Sequence, residues 1–228
     1  MSELIEERQC DVAVVGAGPA GLMAAEVLAM AGLRVKVFDA KPSPARKFLM
    51  AGKGGLNLTH SEPAEAFVSR YGRRAPEVAS WLDQWGPGRL RDWVEQLGFR
   101  TFVGSSGRVF PEDMKAAPML RAWLLRLKSQ GVGFHMRHRW QGVYEQGRLE
   151  LRRDEGVCHV ACRAVVLTLG GGSWAKLGSD GAWQSWLAAK GVELAPLQPA
   201  NCGFDVKAAG QPTAPARTGW SPYFAERF

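Results

Sequence analysis

Cysteine is scarce in this chain of 228 residues. Its four thiols, Cys10, Cys158, Cys162 and Cys202, form neither a dense disulfide framework nor a C-x-x-C pair. That argues against a disulfide-stapled secreted scaffold and a dithiol redox centre, and for thiols kept reduced in a cytoplasm. Long apolar runs are missing too: no stretch of about 18 apolar residues occurs that could span a bilayer. The opening MSELIEERQC is acidic and polar, not a basic segment followed by an apolar one, so neither secretion nor membrane insertion is expected. Histidine is rare at four residues. His135 and His138, three apart in a strand-like run, are expected to face opposite ways and not to share a metal. No G-x-S-x-G elbow and no P-loop is present. The net charge of +7 has no focus beyond RHR at 137–139, so it reads as solvated surface with some phosphate contacts, and nucleic acid is not the expected partner.

Core material is plentiful, with 46% apolar residues and nine Trp. In DVAVVGAGPAGLMAAEVLAMAG an apolar run, Val12 to Val15, turns at Gly16 and continues with a helical pattern that sets Met23, Val27 and Met30 on one face. LRVKVFDA is a second strand, ending in Asp39, 23 residues beyond Gly16. Gly16, Gly18 and Gly21 form G-x-G-x-x-G at this strand-to-helix junction, with Pro19 and Ala20 between them. Gly16 permits the tight turn, Gly18 lets the backbone approach a pyrophosphate, and Gly21 lets helix and strand pack closely. The unpaired N–H groups and positive end of the helix then face the phosphates. Asp39 is placed to accept from ribose hydroxyls, and an acid there disfavours a 2′-phosphate.

Downstream, two helices are predicted in PEVASWLDQW and GRLRDWVEQLG, the second with a stripe of Leu90, Trp93, Val94 and Leu97. A third carries Leu120, Trp123, Leu124 and Leu127 behind Lys115, with Pro118 in its first turn. Residues 132–167 break into short β-like runs, an antiparallel meander returning to a parallel core strand at 164–169, and GAWQSWLAAKG is a last helix. From Pro196 onward Pro and Gly become frequent. The expected fold is α/β: a Rossmann-like domain over residues 1–200 with an insertion at 41–112, then a linker or the start of a substrate domain at 201–228. A single fingerprint followed by a long insertion and a meander favours FAD over NAD as the cofactor.

Four segments in order, GAGPAGL, ARKFLMAGKGGLNLTH, GRVFP and VVLTLGGGSWAKLGSDGAW, across roughly residues 10–205, make the chain similar to bacterial NAD(P)/FAD-dependent flavoproteins of the aminoacetone-oxidase-like or bile-acid-reductase-like group. The resemblance implies a glutathione-reductase-type FAD domain. It implies that Arg46, Lys47 and Lys53 surround the pyrophosphate and flavin, that Gly52, Gly54 and Gly55 let the backbone pass closely, and that Asn57 and Thr59 offer polar contacts. It also implies that Thr168, Leu169, Gly170 and Gly171 close over the pyrophosphate. Trp140 is either core or an adenine contact, and Lys41, before Pro42, is expected on an exposed turn. The expected activity is FAD-dependent hydride transfer between a small organic substrate or NAD(P)H and FAD, with O2 or an organic acceptor. The rival expectations are a flavin-binding protein acting on RNA and a non-catalytic nucleotide-binding fragment. Members of the resembled group run well past Phe228, so this chain is expected to be an incomplete enzyme. No catalytic acid or base stands out.

Overall fold

A computed structural model describes residues 4–198. In chain order its elements begin with strands β1 (Leu4–Gln9) and β2 (Val12–Val15), helix α1 (Pro19–Met30) and strand β3 (Val35–Asp39). Then come helix α2 (Arg46–Ala51), a 3-10 turn at Gly52–Gly54, strand β4 (Thr59–His60), helix α3 (Ala64–Ser69), a 3-10 turn at Gly72–Arg74, helices α4 (Ala75–Gln84) and α5 (Pro87–Gln96), and strands β5 (Thr101–Val103) and β6 (Arg108–Pro111). Helix α6 (Ala116–Ser129) leads to β7 (Gly133–Met136), β8 (Arg139–Glu145), β9 (Arg148–Arg153), β10 (Gly156–Ala161) and β11 (Ala164–Leu167). A 3-10 turn at Ala175–Leu177 and helix α7 (Trp183–Ala188) complete the set.

The central sheet has the order β11-β2-β3-β7, and each neighbouring pair is parallel. A parallel sheet is covered on both faces, and β2 shows why the sequence chose one. Val12 and Val14 feed the core on the helix side, with Leu22, Val37, Trp123 and Leu127. Ala13 and Val15, pointing the other way by the period-two rule, feed the core under the meander, with Phe38, Trp140, Leu149 and Val160. All four β2 residues are buried. The meander is the second sheet, β1-β10-β9-β8, and residues 59–111 add a small third sheet, β4-β6-β5. The predicted stripes are found: Trp93 and Val94 of α5 and Leu120, Trp123 and Leu127 of α6 are buried.

Three features depart from the sequence expectation. The polar LIEERQ forms β1, a full parallel partner of β10, because backbone pairing needs no apolar side chains at a sheet edge. Helix α1 buries Gly21, Leu22, Ala25 and Glu26, whereas Val27 and Met30 are 57% and 73% exposed. Close packing of Gly21 sets the rotation of the helix, so the longer apolar side chains turn outward. The histidines do not diverge: β7 ends at Met136, Arg137 takes a φ of 60°, and both rings land on Phe38 at 4.9 and 5.8 Å, 5.9 Å from each other. Among the described residues no cluster of His, Cys, Asp or Glu could hold a metal ion, and no helix is long and apolar enough to cross a membrane.

Cys10, Cys158 and Cys162 are buried, and burial pushes the Cys10 thiol up to about 11. Cys202 lies outside the described residues. The chain divides into two units, Met1–Leu194 and Ala195–Phe228. The linker or second-domain expectation for 201–228 falls outside the described residues.

Candidate cofactor groove

The carboxyl ends of β2, β3 and β11 open into a groove of about 470 Å³. This is the crevice where open parallel sheets bind their ligands. The first turn is built by the glycines. Gly16 sits at φ 108°, and its N–H donates to the Phe38 carbonyl at 2.8 Å. A Cβ on Gly16 would lie 2.3 Å from the Thr168 carbonyl oxygen, and one on Gly21 would lie 1.9 Å from the Gly16 carbonyl oxygen. Both glycines are demanded by protein packing against protein. Gly18 differs: a Cβ there would meet nothing within 4 Å. It is the N-cap of α1, with Pro19 next and no side chain capping the helix, so the first-turn N–H groups face the groove uncapped.

Asp39, at the tip of β3, braces this turn. One carboxylate oxygen accepts from the Ala17 N–H at 2.7 Å and the other from the Lys41 N–H at 2.8 Å. Each oxygen keeps a further lone pair for a hydroxyl donor. The Ala45 N–H donates to the Ala17 carbonyl at 2.8 Å, which ties the start of α2 to the same turn. Arg46 then lines the groove, and its buried Nε has no hydrogen-bond partner among the described residues. A buried guanidinium donor without a partner in a groove edged by open backbone fits an anion such as a diphosphate. Lys47, the next residue, also lines the groove, and its Nζ donates to Ser173 Oγ at 3.3 Å.

The far wall is the segment after β11. Thr168 Oγ1 donates to the Gly16 carbonyl at 2.8 Å, so this wall is bonded to the glycine turn. Leu169 and Gly170 follow in the lining, and the Gly170 carbonyl accepts from Trp183 Nε1 at 3.0 Å. Beyond them the chain doubles back through Gly178, at φ 103°, to Ser179, whose hydroxyl donates to the Gly171 carbonyl at 2.8 Å. Asp180 bonds Arg139 at 2.7 Å, and that guanidinium holds its carboxyl below the usual range. Trp140 takes the expected core role, buried edge-on against Trp186, and it also borders the groove.

Of the residues singled out from the sequence, Gly16, Gly18, Pro19, Ala20, Asp39, Arg46, Lys47, Thr168, Leu169 and Gly170 line this groove. Gly21 stands behind it, and Gly171 carries a carbonyl that pins the wall. The later part of the 45–60 motif does not join the lining. Gly52 packs where a Cβ would lie 2.5 Å from Ala116 Cβ, Gly55 where one would lie 2.5 Å from Met114 Cε, and Gly54 has open space around it. Asn57 is exposed, and Thr59 pairs with Val109 in the third sheet. The side chain of Lys53 lies outside the described residues. Lys41, expected on an exposed turn, is half-buried against Gly178, where a Cβ would lie 3.1 Å from Lys41 Cγ. Sequence reasoning missed His138, Leu177, Ser179 and Trp183. Their signal was the clustering of Gly, Ser and Trp in GGGSWAKLGSDGAW, but only the folded turn shows which of them face inward.

Comparison with known proteins agrees with this architecture. The profile of the HI0933-like protein Rossmann domain matches residues 10–219. The ribosomal RNA dihydrouridine synthase of Escherichia coli (strain K12) is 27% identical over 172 residues, covering 75% of this chain and 42% of that protein. The thiamine thiazole synthase of Pyrococcus horikoshii is 33% identical over 75 residues, 33% of this chain and 30% of that protein. The present chain thus spans less than half the length of either. In structure, the 3-ketosteroid-Δ4-(5α)-dehydrogenase of Rhodococcus jostii RHA1 superposes with a TM-score of 0.56 at 14% identity, covering 72% of this chain and 46% of that one. Thermovibrio ammonificans THI4 superposes at 0.51 with 18% identity, covering 81% and 64%.

Proposed function

The chain belongs to the HI0933-like protein Rossmann domain family, and from that premise we propose that its groove holds FAD for an oxidoreductase whose substrate is a base in RNA. The observation that carries the cofactor reading is the meeting, in one groove, of the open backbone at Gly18, the uncapped start of α1, the Asp39 carboxylate and the unpartnered Arg46 Nε. Together they match a ribose followed by a diphosphate. Asp39 receives ribose hydroxyls, Arg46 and the α1 N–H groups hold phosphate oxygens, and the wall from Thr168 to Ser179 shields them from water. The bound flavin supplies two-electron hydride chemistry.

The RNA reading is supported by the Escherichia coli relative, which matches three quarters of this chain. The corresponding reaction reduces the C5–C6 double bond of a uridine by one hydride and one proton, with NAD(P)H as electron source. The test is to purify the chain, record flavin absorbance, titrate FAD against ADP, and follow NADH or NADPH oxidation with and without RNA. Loss of FAD binding in Asp39→Ala, together with RNA-dependent oxidation by the flavin-loaded protein, is the expected result. Reduction of the flavin by small organic donors alone, with RNA inert, would refute the RNA substrate and leave the flavoenzyme reading standing.

A further inference from the structure

We infer that Trp174 is a stacking platform for an unpaired base of single-stranded RNA at the rim of the flavin groove, with Lys41 and Lys176 receiving the flanking phosphates; the inference rests on the RNA reading above. Trp174 is 61% exposed and sits at φ 66°, ψ 55°, the left-handed region that a bulky side chain avoids. The same segment places glycine at its other positive-φ positions, Gly170, Gly178 and Gly181. A tryptophan kept where glycine would be relaxed, and left in water, is the pattern of local strain retained for a contact.

Its surroundings select the ligand. Leu177 N–H donates to the Trp174 carbonyl at 2.8 Å, which fixes the turn, and Lys47 of the groove wall donates to neighbouring Ser173. Trp174 is therefore one residue from a groove contact. Lys41 lies against Gly178 and Lys176 is exposed within the turn. From Thr168 to Ser179 there is no acidic residue, and the next one, Asp180, is already paired with Arg139. Trp81, at 66% exposure, lacks this setting: it lies within helix α4, between Glu77 and Asp83. An exposed indole on a turn that carries Lys176 and is touched at Gly178 by Lys41 suits a splayed base and its phosphates, since every base has a π-face and unpaired RNA can present it.

The test uses the full chain loaded with FAD and a fluorescein-labelled 12-mer of oligouridylate, read by anisotropy at low and moderate salt. Trp174→Ala and Trp174→Gly are expected to weaken RNA roughly tenfold, Trp174→Phe to stay within about threefold, and Lys176→Glu to weaken binding and flatten its salt dependence. FAD affinity should be unchanged in all four, and Trp174→Gly should melt no lower than the parent because it relieves the left-handed strain. RNA affinity unaltered in Trp174→Ala overturns the inference while leaving RNA as substrate. Absence of salt-sensitive RNA binding by the parent chain overturns both. Loss of FAD or of folding in Trp174→Gly assigns the residue a structural role and likewise overturns the inference.

Discussion

At the scale of single residues, three glycines in one motif have two different jobs, and substitution separates them. A methyl at Gly21 would sit 1.9 Å from a backbone oxygen that cannot move without breaking the turn. Gly21→Ala is therefore expected to lower stability by about 2 kcal/mol or more, read as unfolding without any cofactor. Gly18→Ala meets open space at φ −76°, ψ 178°. It should fold within about 1 kcal/mol of the parent but bind FAD at least roughly tenfold more weakly, because the methyl occupies the phosphate position. Equal melting temperatures for the two variants would refute this division. The places of Gly16, Gly18, Gly21 and Asp39 in the turn were legible because a tight strand-to-helix junction has one local solution. Gly52 and Gly55 were not, since glycine permits close approach equally to a cofactor or to another part of the protein, here Ala116 and Met114.

At the scale of elements, the buried face of α1 is decided by partners far away in sequence. Glu26, on that face, accepts from Trp123 Nε1 at 2.6 Å, Trp93 Nε1 at 3.3 Å and Arg126 at 3.1 Å. One carboxylate thus joins α1, α5 and α6. Glu26→Ala would strand two indole N–H groups and a guanidinium, at a cost of about 3 kcal/mol, or roughly 6–12 °C in Tm. Glu26→Gln should cost less, since its carbonyl still accepts. Arg34, just before β3, is held to Asp11, just before β2, by three hydrogen bonds to the Asp11 carboxylate. Those bonds lower the Asp11 carboxyl from 3.8 to about 2. A carboxyl depressed in the folded state stabilises fully above its unfolded value, and that contribution is lost as pH falls towards about 2. Thermal melts between pH 5 and 2 should show a shallower acid slope for Asp11→Asn than for the parent; parallel slopes would contradict it.

At the scale of the molecule, every residue lining the groove lies between Val15 and Leu187, inside the unit Met1–Leu194. A chain ending at Leu194 is expected to bind FAD within about twofold of the full chain, and FAD at a hundred times its Kd should stabilise either by about 2.7 kcal/mol. Loss of FAD binding in the shorter chain would show that residues after 194 contribute to the site.

The sequence by itself determined the β-α-β unit, the glycine turn, the acid at the tip of β3, the buried stripes of α5 and α6 and the returning strand β11, because each is a local pattern of period, turn chemistry and spacing. The tertiary structure alone decided the pairing of polar β1 with β10, the outward turn of Val27 and Met30, the meeting of His135 and His138 on Phe38, and the wall from Leu177 to Trp183 that faces Asp39. These depend on contacts between residues up to about 150 positions apart. No local propensity encodes such contacts; they are selected only when the whole chain closes around two cores.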